Sequence, residues 1–229
     1  MLNFLRRLRS GSIARVRFSD RNDGDALDVR SFATERSRWS TVVQVHGADV
    51  VVVESCAKGP GIEADAMVPG RPGPTLAVRT ADCVPIALLG GSAVGAVHAG
   101  WRGLEAGVIE AAVRCLREVE GGRAPLHALV GPHISAAHYE FGSVELERLE
   151  ARFGPDVVGY TLEGRPALDL GAAVASEFAR LGVATDHAVA RCTAMDGRYF
   201  SHRARREAGR MVMLVDICSG DDHVVGPIS

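Results

Sequence analysis

The sequence predicts a mixed α/β fold, with an α+β-like mixed sheet and helices packed on it. Three observations predict it. Short apolar runs recur along the chain, bounded by Gly, Pro or Asp as strands are. Two longer stretches carry apolar residues three or four apart, the spacing of a helix with one buried face. Strands come in clusters with helices interleaved irregularly, which fits this class better than a doubly wound βαβ array.

In chain order, strands are expected at Val50–Val53, Leu76–Val78, Val84–Leu89, Ala93–His98, Leu126–Val130 and Met211–Ile217. Leu104, Val108, Ala111, Cys115 and Val119 would line the buried face of a helix. Ser143 to Phe153 is a further helical stretch. Leu170, Val174, Phe178 and Leu181 mark another, with Gly182 as its C-terminal stop. The Gly/Pro-rich stretch KGPGIEADAMVPGRPGPT (58–75) reads as a loop with room for short strands. No internal repeat divides the chain, so residues 1–229 are expected to form a single domain.

At 229 residues, 47% hydrophobic and 24% charged, the chain has enough material for a substantial core. A formal net charge of −2 gives no electrostatic reason to expect nucleic acid or an anionic membrane as partner. No apolar run approaches the roughly 20 residues that span a bilayer. MLNFLRRLRS lacks the apolar segment and cleavage site of a secretory signal. Five cysteines, widely spaced, odd in number and without a C-x-x-C pair, argue against a disulfide scaffold or zinc ribbon and for a reducing cytoplasm. G-x-G-x-x-G, G-x-x-x-x-G-K-[ST] and G-x-S-x-G are all missing, so nucleotide-loop and serine-hydrolase readings lack their motifs.

Three segments join a metal-ligating side chain to tight loop chemistry: QVHGADV (44–50) with His46, TADCVP (80–85) with Cys83, and VHAGWRG (97–103) with His98. Two imidazoles and a thiolate suit zinc or copper, and three protein ligands leave a position for water or substrate. Spacing alone does not force them together. On the residues by themselves, a buried cysteine and two hydrogen-bonded loop histidines is the simpler reading.

Arg102 lies between Gly100 and Gly103 just before a helix, where a guanidinium and approachable backbone N–H groups suit phosphate or carboxylate. A turn arginine paired with Asp82 or Asp65 is the equal alternative. In GPHISAAHYEFG (131–142), the Gly-Pro turn at a strand end would thrust His133 toward the cleft of His98. Toward the C-terminus, Arg198, Arg203, Arg205, Arg206 and Arg210 crowd together, as a solvated basic loop or as a source of one further anion contact.

Taken together, QVHGADV, EADAMV, TADCVPIAL, AVHAGWRGL, the GP-x-I…YE-x-G pattern and CT…FS-x-R…GRM resemble, in order and wording, the YfiH family, also called the multicopper polyphenol oxidase or laccase-domain family. The resemblance runs from Phe18 to Ile217 and leaves residues 1–17 as a short N-terminal extension. It implies that His46, Cys83 and His98 hold one zinc ion, with copper as the alternative. It implies purine nucleoside chemistry: phosphorolysis of adenosine, inosine and S-methyl-5′-thioadenosine, and deamination of adenosine. Purine nucleosides and phosphate would be the partners, with the oligomeric state open.

A second function described in the family is peptidoglycan editing, in which a misincorporated amino acid is hydrolysed from a UDP-muramyl precursor. Phenol oxidation ranks last, because no run of His-x-His pairs could hold a copper cluster. Cys83, His133 and Asp82 are the expected catalytic residues, with His133 as proton shuttle and Asp82 or Glu140 behind it. Arg102, Arg21, Gln44, Arg203 and Tyr139 are expected to bind substrate. GPHI stands where the family has GP-C-I or GP-S-I, and FSHRA stands for FSYRR, so substrate preference is where this chain departs.

Overall fold

The computed structural model describes residues 1–54, 61–70, 73–122, 125–187 and 189–218; Cys56 and His223 lie outside them. In chain order the elements are β1 (Leu2–Arg7), β2 (Ile13–Phe18), β3 (Trp39–Ser40), β4 (Val50–Val53), β5 (Ala66–Pro69), β6 (Thr75–Thr80), β7 (Val84–Leu89) and β8 (Val94–Ala99). Then come α1 (Trp101–Ala106), α2 (Val108–Val119), β9 (His127–Val130), α3 (Ser143–Phe153), β10 (Val158–Tyr160), β11 (Pro166–Leu168), α4 (Leu170–Leu181), β12 (Ala184–Asp186), α5 (His202–Arg205) and β13 (Met211–Cys218).

Two mixed sheets form the frame. One is six-stranded in the order β12-β9-β7-β8-β5-β4; the other is five-stranded, β1-β2-β13-β6-β3. Period-two alternation sorts their side chains into layers. Leu76, Val78, Met213 and Val215 of the smaller sheet meet Met67, Ala87, Leu89, Val94 and Ala96 of the larger one. On the far side of the larger sheet, Ile86, Leu88 and Val97 pack under α2, α3 and α4. On the far side of the smaller sheet, Ala77, Val212 and Leu214 lie beneath Trp39 and Ala26. The mixed α/β architecture expected from the sequence is present, and no helix among the described residues is long and apolar enough to cross a membrane.

Several local expectations change. Residues 1–17 are built into the sheet: β2 pairs with both β1 and β13, and Ala14, Val16 and Phe18 are buried. The single helix expected after Gly103 is two, because Gly107 takes a left-handed conformation (φ 94°) between α1 and α2. The restart rotates the buried face to Val108, Ile109, Ala112, Val113 and Leu116, and leaves Val119 exposed. Within the Gly/Pro-rich stretch, β5 is a wholly buried strand. At α4, Asp169 caps the N-terminus through the N–H of Ala172 (2.9 Å), and Gly182 stops the helix in a left-handed turn, as expected.

Candidate active site

The three ligand candidates converge, and the device that brings them together is Asp65. Continuing the β5–β8 register Ala66↔Val97 by one residue sets Asp65 opposite His98, whose backbone N–H donates to the Asp65 carbonyl at 2.7 Å. The fully buried Asp65 carboxylate then accepts from Nδ1 of His98 (2.7 Å) and from the backbone N–H groups of Val45 (3.2 Å), His46 (3.0 Å) and Gly47 (2.6 Å). Those three bonds hold the QVHG turn, in which His46 adopts a left-handed φ of 61° that a non-glycine residue keeps only when its surroundings impose it.

Because the ionised carboxylate only accepts, the His98 hydrogen sits on Nδ1, and Nε2 is left for the thiol. The Cys83 Sγ lies 3.7 Å from Nε2 of His46, and the two imidazole rings stand edge to face at 4.8 Å. One ligand atom from each of His46, Cys83 and His98 lies within 4.8 Å of the others. Gly100 is built into the arrangement: a Cβ there would sit 2.7 Å from Cδ2 of His46 and 3.1 Å from Sγ of Cys83. The glycines of HAGWRG therefore let the chain pack against the ligand turns, with Gly103 seated on the carbonyl of Gly47. Two imidazoles, one with its tautomer fixed by a carboxylate, and one thiolate are a donor set that fits zinc or copper.

The electrostatics agree with that chemistry. Burial opposes the Cys83 thiolate, yet the charge of His98 and hydrogen bonds from both histidines bring the thiol down to about 6. Burial likewise opposes charge on His98, but the thiolate and Asp65 push it up to about 9. Asp65, penalised by burial, is held below the usual carboxylate range by His98 and the Gly47 and His46 N–H groups.

Cys83 follows a second strained residue, Asp82, at φ 94°. The Asp82 carboxylate accepts from Oγ1 of Thr193 (2.6 Å), Oγ of Ser201 (2.7 Å) and the backbone N–H of Arg203 (2.6 Å). It borders the cleft, but its bonds tie the TADC turn to the C-terminal segment, the work of a positioning residue.

The cleft, about 540 Å³, opens beside the three ligands and is also lined by Arg79, Arg102, Tyr139, His202, Arg203 and Arg210. Arg102 is exposed, lies 4.3 Å over the Trp101 ring, and has no carboxylate within ion-pair distance among the described residues. The alternative pairing with Asp65 or Asp82 does not occur; both carboxylates are engaged elsewhere. Arg203 stacks 4.4 Å over Tyr139 and donates from Nη1 to the carbonyl of Glu140 (2.8 Å). Burial, with the nearby Cys83 charge, pushes Tyr139 up to about 12, so its hydroxyl stays neutral.

Three expectations, those for His133, Arg21 and Glu140, are corrected. His133 does not reach the cleft: its Nδ1 donates to the carbonyl of Gly131 (2.8 Å), and its main chain is pinned to Arg191 and Thr193. Its ring instead faces the start of α4, with Nε2 3.1 Å from where a Cβ on Gly171 would be. Gln44 does line the cleft, and its amide also clamps backbone, donating to the Arg79 carbonyl (2.8 Å) and accepting from the Arg79 N–H (2.9 Å). Arg21 is outside the cleft lining and binds the carbonyls of Gly197 and Tyr199 and the carboxylate of Glu207. Glu140 pairs with Arg165 at 2.8 Å.

The residues missed were Asp65, Arg79 and His202. Asp65 lies in EADAMV, and only the strand register could have set it against His98. His202, in FSHRA, lines the cleft with an imidazole, a place that only the fold gives it.

The profile of the family described as Multi-copper polyphenol oxidoreductase laccase matches residues 22–218. A Streptomyces coelicolor protein named purine nucleoside phosphorylase is 37% identical over 188 residues, spanning 81% of this chain and 77% of its own. A Mycobacterium tuberculosis protein of the same name is 32% identical over 222 residues, with 90% and 88% covered. Among solved structures, YlmD of Geobacillus stearothermophilus superposes with a TM-score of 0.73 at 25% identity over 92% of this chain and 93% of that one. A Neisseria meningitidis protein of the DUF152 family superposes with a TM-score of 0.75 at 24% identity over 95% and 99%, a likeness of fold. The profile covers most of the chain, and the two enzymes exceed 30% identity along it, so this protein belongs to the multi-copper polyphenol oxidoreductase laccase family, also known as YfiH.

Proposed function

We propose that the protein is a metal-dependent purine nucleoside phosphorylase that also deaminates adenosine, with zinc held by His46, Cys83 and His98. The observation that carries this reading is the opening of a three-ligand site onto a cleft lined with arginines that, among the described residues, have no carboxylate within ion-pair distance. The names of the relatives point the same way. Zinc on such ligands supplies a Lewis acid and lowers the pKa of water.

The chain's own residues do the rest. Phosphorolysis breaks the bond between ribose C1′ and the purine nitrogen and joins a phosphate oxygen to C1′, through an oxocarbenium-like transition state. Arg102, exposed and unpaired, holds the phosphate, and the neutral Tyr139 hydroxyl offers a hydrogen bond beside it. Arg203, fixed by its stacking on Tyr139, directs its remaining N–H groups into the cleft. The His202 imidazole, at the mouth, gives the departing purine its proton. The thiols of Cys83, Cys115 and Cys192 form no disulfide, which supports a cytoplasmic setting.

Elemental analysis of purified protein should give about one zinc per chain. Incubation with adenosine and phosphate should release adenine and ribose 1-phosphate, with inosine and ammonia from deamination followed in parallel. Copper in place of zinc corrects the metal assignment; the absence of phosphate-dependent base release refutes the reaction.

A further inference from the structure

The cleft has a second positive pole, formed by the five-stranded sheet. Arg79 shares the outer face of β6 with Ala77, beneath Trp39 and the segment leading to it. Its backbone is clamped on both sides by Gln44, so the root of the side chain is fixed. Arg210 precedes β13, where the register Met211↔Thr80 places it on the neighbouring strand. Nη1 of Arg210 is anchored to the carbonyls of Glu207, Ala208 and Gly209 at 3.2, 2.7 and 3.0 Å. Both arginines line the cleft, next to the part-exposed apolar side chains of Leu27 and Val43.

Elsewhere in the fold, Arg15, Arg17, Arg21, Arg148, Arg165 and Arg180 each pair with a carboxylate. Among the described residues neither Arg79 nor Arg210 has one within ion-pair distance. Arg79's side-chain contact is a long one, 3.5 Å to the carbonyl of Val42. Partial burial, and then the charges of Arg36 and Arg210, weigh against its own charge. Asp25 accepts from the Arg210 backbone N–H (2.9 Å) but forms no ion pair with its guanidinium. Two guanidinium groups lining one cleft with no carboxylate paired to either are an arrangement that an oxyanion relieves. The other wall is built from different elements: Arg102 opens α1 after β8 of the six-stranded sheet and Arg203 lies in α5 over the Tyr139 ring, whereas Arg79 and Arg210 belong to β6 and the approach to β13 in the five-stranded sheet.

We infer that Arg79 and Arg210 form an anion subsite separate from Arg102, which takes a phosphoryl group carried by the nucleoside itself, so that the cleft accepts nucleoside 5′-monophosphates. The inference rests on reading the cleft as a nucleoside site. Leu27 and Val43 offer apolar contact beside the subsite, and Arg102 remains available for inorganic phosphate.

The test is calorimetric titration of the metal-loaded protein with adenosine, adenosine 5′-monophosphate and inorganic phosphate, for the unaltered chain and for Arg79→Met, Arg79→Lys and Arg210→Met. The monophosphate should bind on the order of tenfold more tightly than adenosine, as expected for charge-assisted hydrogen bonds. That ratio should fall to about one in Arg79→Met and Arg210→Met, and largely survive in Arg79→Lys. Thermal melts establish that each variant is folded; if either Met variant is not, Arg79→Gln and Arg210→Gln, which keep a polar side chain without the charge, carry the test with the same expected loss of preference.

Equal affinity for the two ligands in the unaltered protein overturns the inference, as does a preference that persists in Arg79→Met. A subsite that binds only inorganic phosphate, with no preference for the monophosphate, overturns it too. Base release from adenosine without this preference leaves the phosphorylase reading standing alone. The preference without base release refutes that reading and leaves the subsite.

Discussion

Asp65 and Asp82 are both buried aspartates, and each stabilises a turn holding a non-glycine residue at positive φ. Their bonds run to different places. Asp65 joins the QVHG turn to the ring of His98, so one carboxylate orients two of the three ligand-bearing segments. Asp82 reaches away from the ligands, to Thr193, Ser201 and the Arg203 N–H. The first couples ligand to ligand; the second couples the thiol's turn to the segment that supplies Arg203 and His202 to the cleft. A motif that places an aspartate beside a candidate ligand therefore does not reveal which aspartate orients the His46–Cys83–His98 group.

The largest expected effect removes what both turns serve. Cys83→Ser should lose stoichiometric zinc and every activity together, read by elemental analysis and product formation. Zinc retained at one per chain would overturn the ligand assignment.

Asp65→Asn should come next. It weakens the hold on the His98 tautomer and on the QVHG turn, and should raise the zinc dissociation constant by about 10- to 100-fold, the usual scale for an orienting partner. Competition with a chromogenic chelator measures it; an unchanged constant would remove Asp65 from the site.

The thiolate sharpens the comparison in the metal-stripped protein. With Cys83 near 6, iodoacetamide alkylation should be flat above about pH 7 and fall as pH drops through 6, whereas an ordinary thiol would speed up through about 8.5. Zinc should protect the thiol. A midpoint near 8.5 would show that the histidines do not act on it.

Asp82→Asn should keep its zinc and instead lower stability by about 1.5–3 kcal/mol, the scale of a hydrogen bond to a charged group. Denaturant titration and metal content together decide it. A zinc loss as large as that of Asp65→Asn would erase the difference between the two turns.

The smallest effect on catalysis should come from His133→Ser, with zinc retained and the pH–rate profile unmoved. Burial holds this imidazole below its ordinary value, so unfolding takes up a proton and stability falls as pH drops below about 6.5. The serine variant should lose that share of the acid-side slope. A shifted limb in the pH–rate profile would restore His133 as a proton carrier.

Much of the fold was legible because its signal is local. The pattern of β7, the boundaries of α3, and the glycine stop of α4 need only neighbouring residues to be read. Strand β5 was hidden by Gly and Pro on either side, and β1 by its mixture of Arg with Leu and Phe. The ligand trio was visible through wording shared with a family, since spacing gave no reason for three distant segments to meet. The place of His133 and the clamp made by Gln44 were hidden for one reason. Their partners, Arg191 with Thr193 and the backbone of Arg79, are set by tertiary pairing that no local window contains.

The position of β13 has a consequence for synthesis. It is the last described strand in the chain, yet it lies in the interior of its sheet, bonded to β2 on one side and β6 on the other. Until residues 211–218 leave the ribosome, β2 and β6 have no link, and their apolar faces wait unpaired. His46, Cys83 and His98 all emerge well before that point. A growing chain thus presents its reactive thiol and both imidazoles while half the scaffold is unmade. The closing of β13 between β2 and β6 is a long-range pairing, the kind of contact that forms slowly in folding.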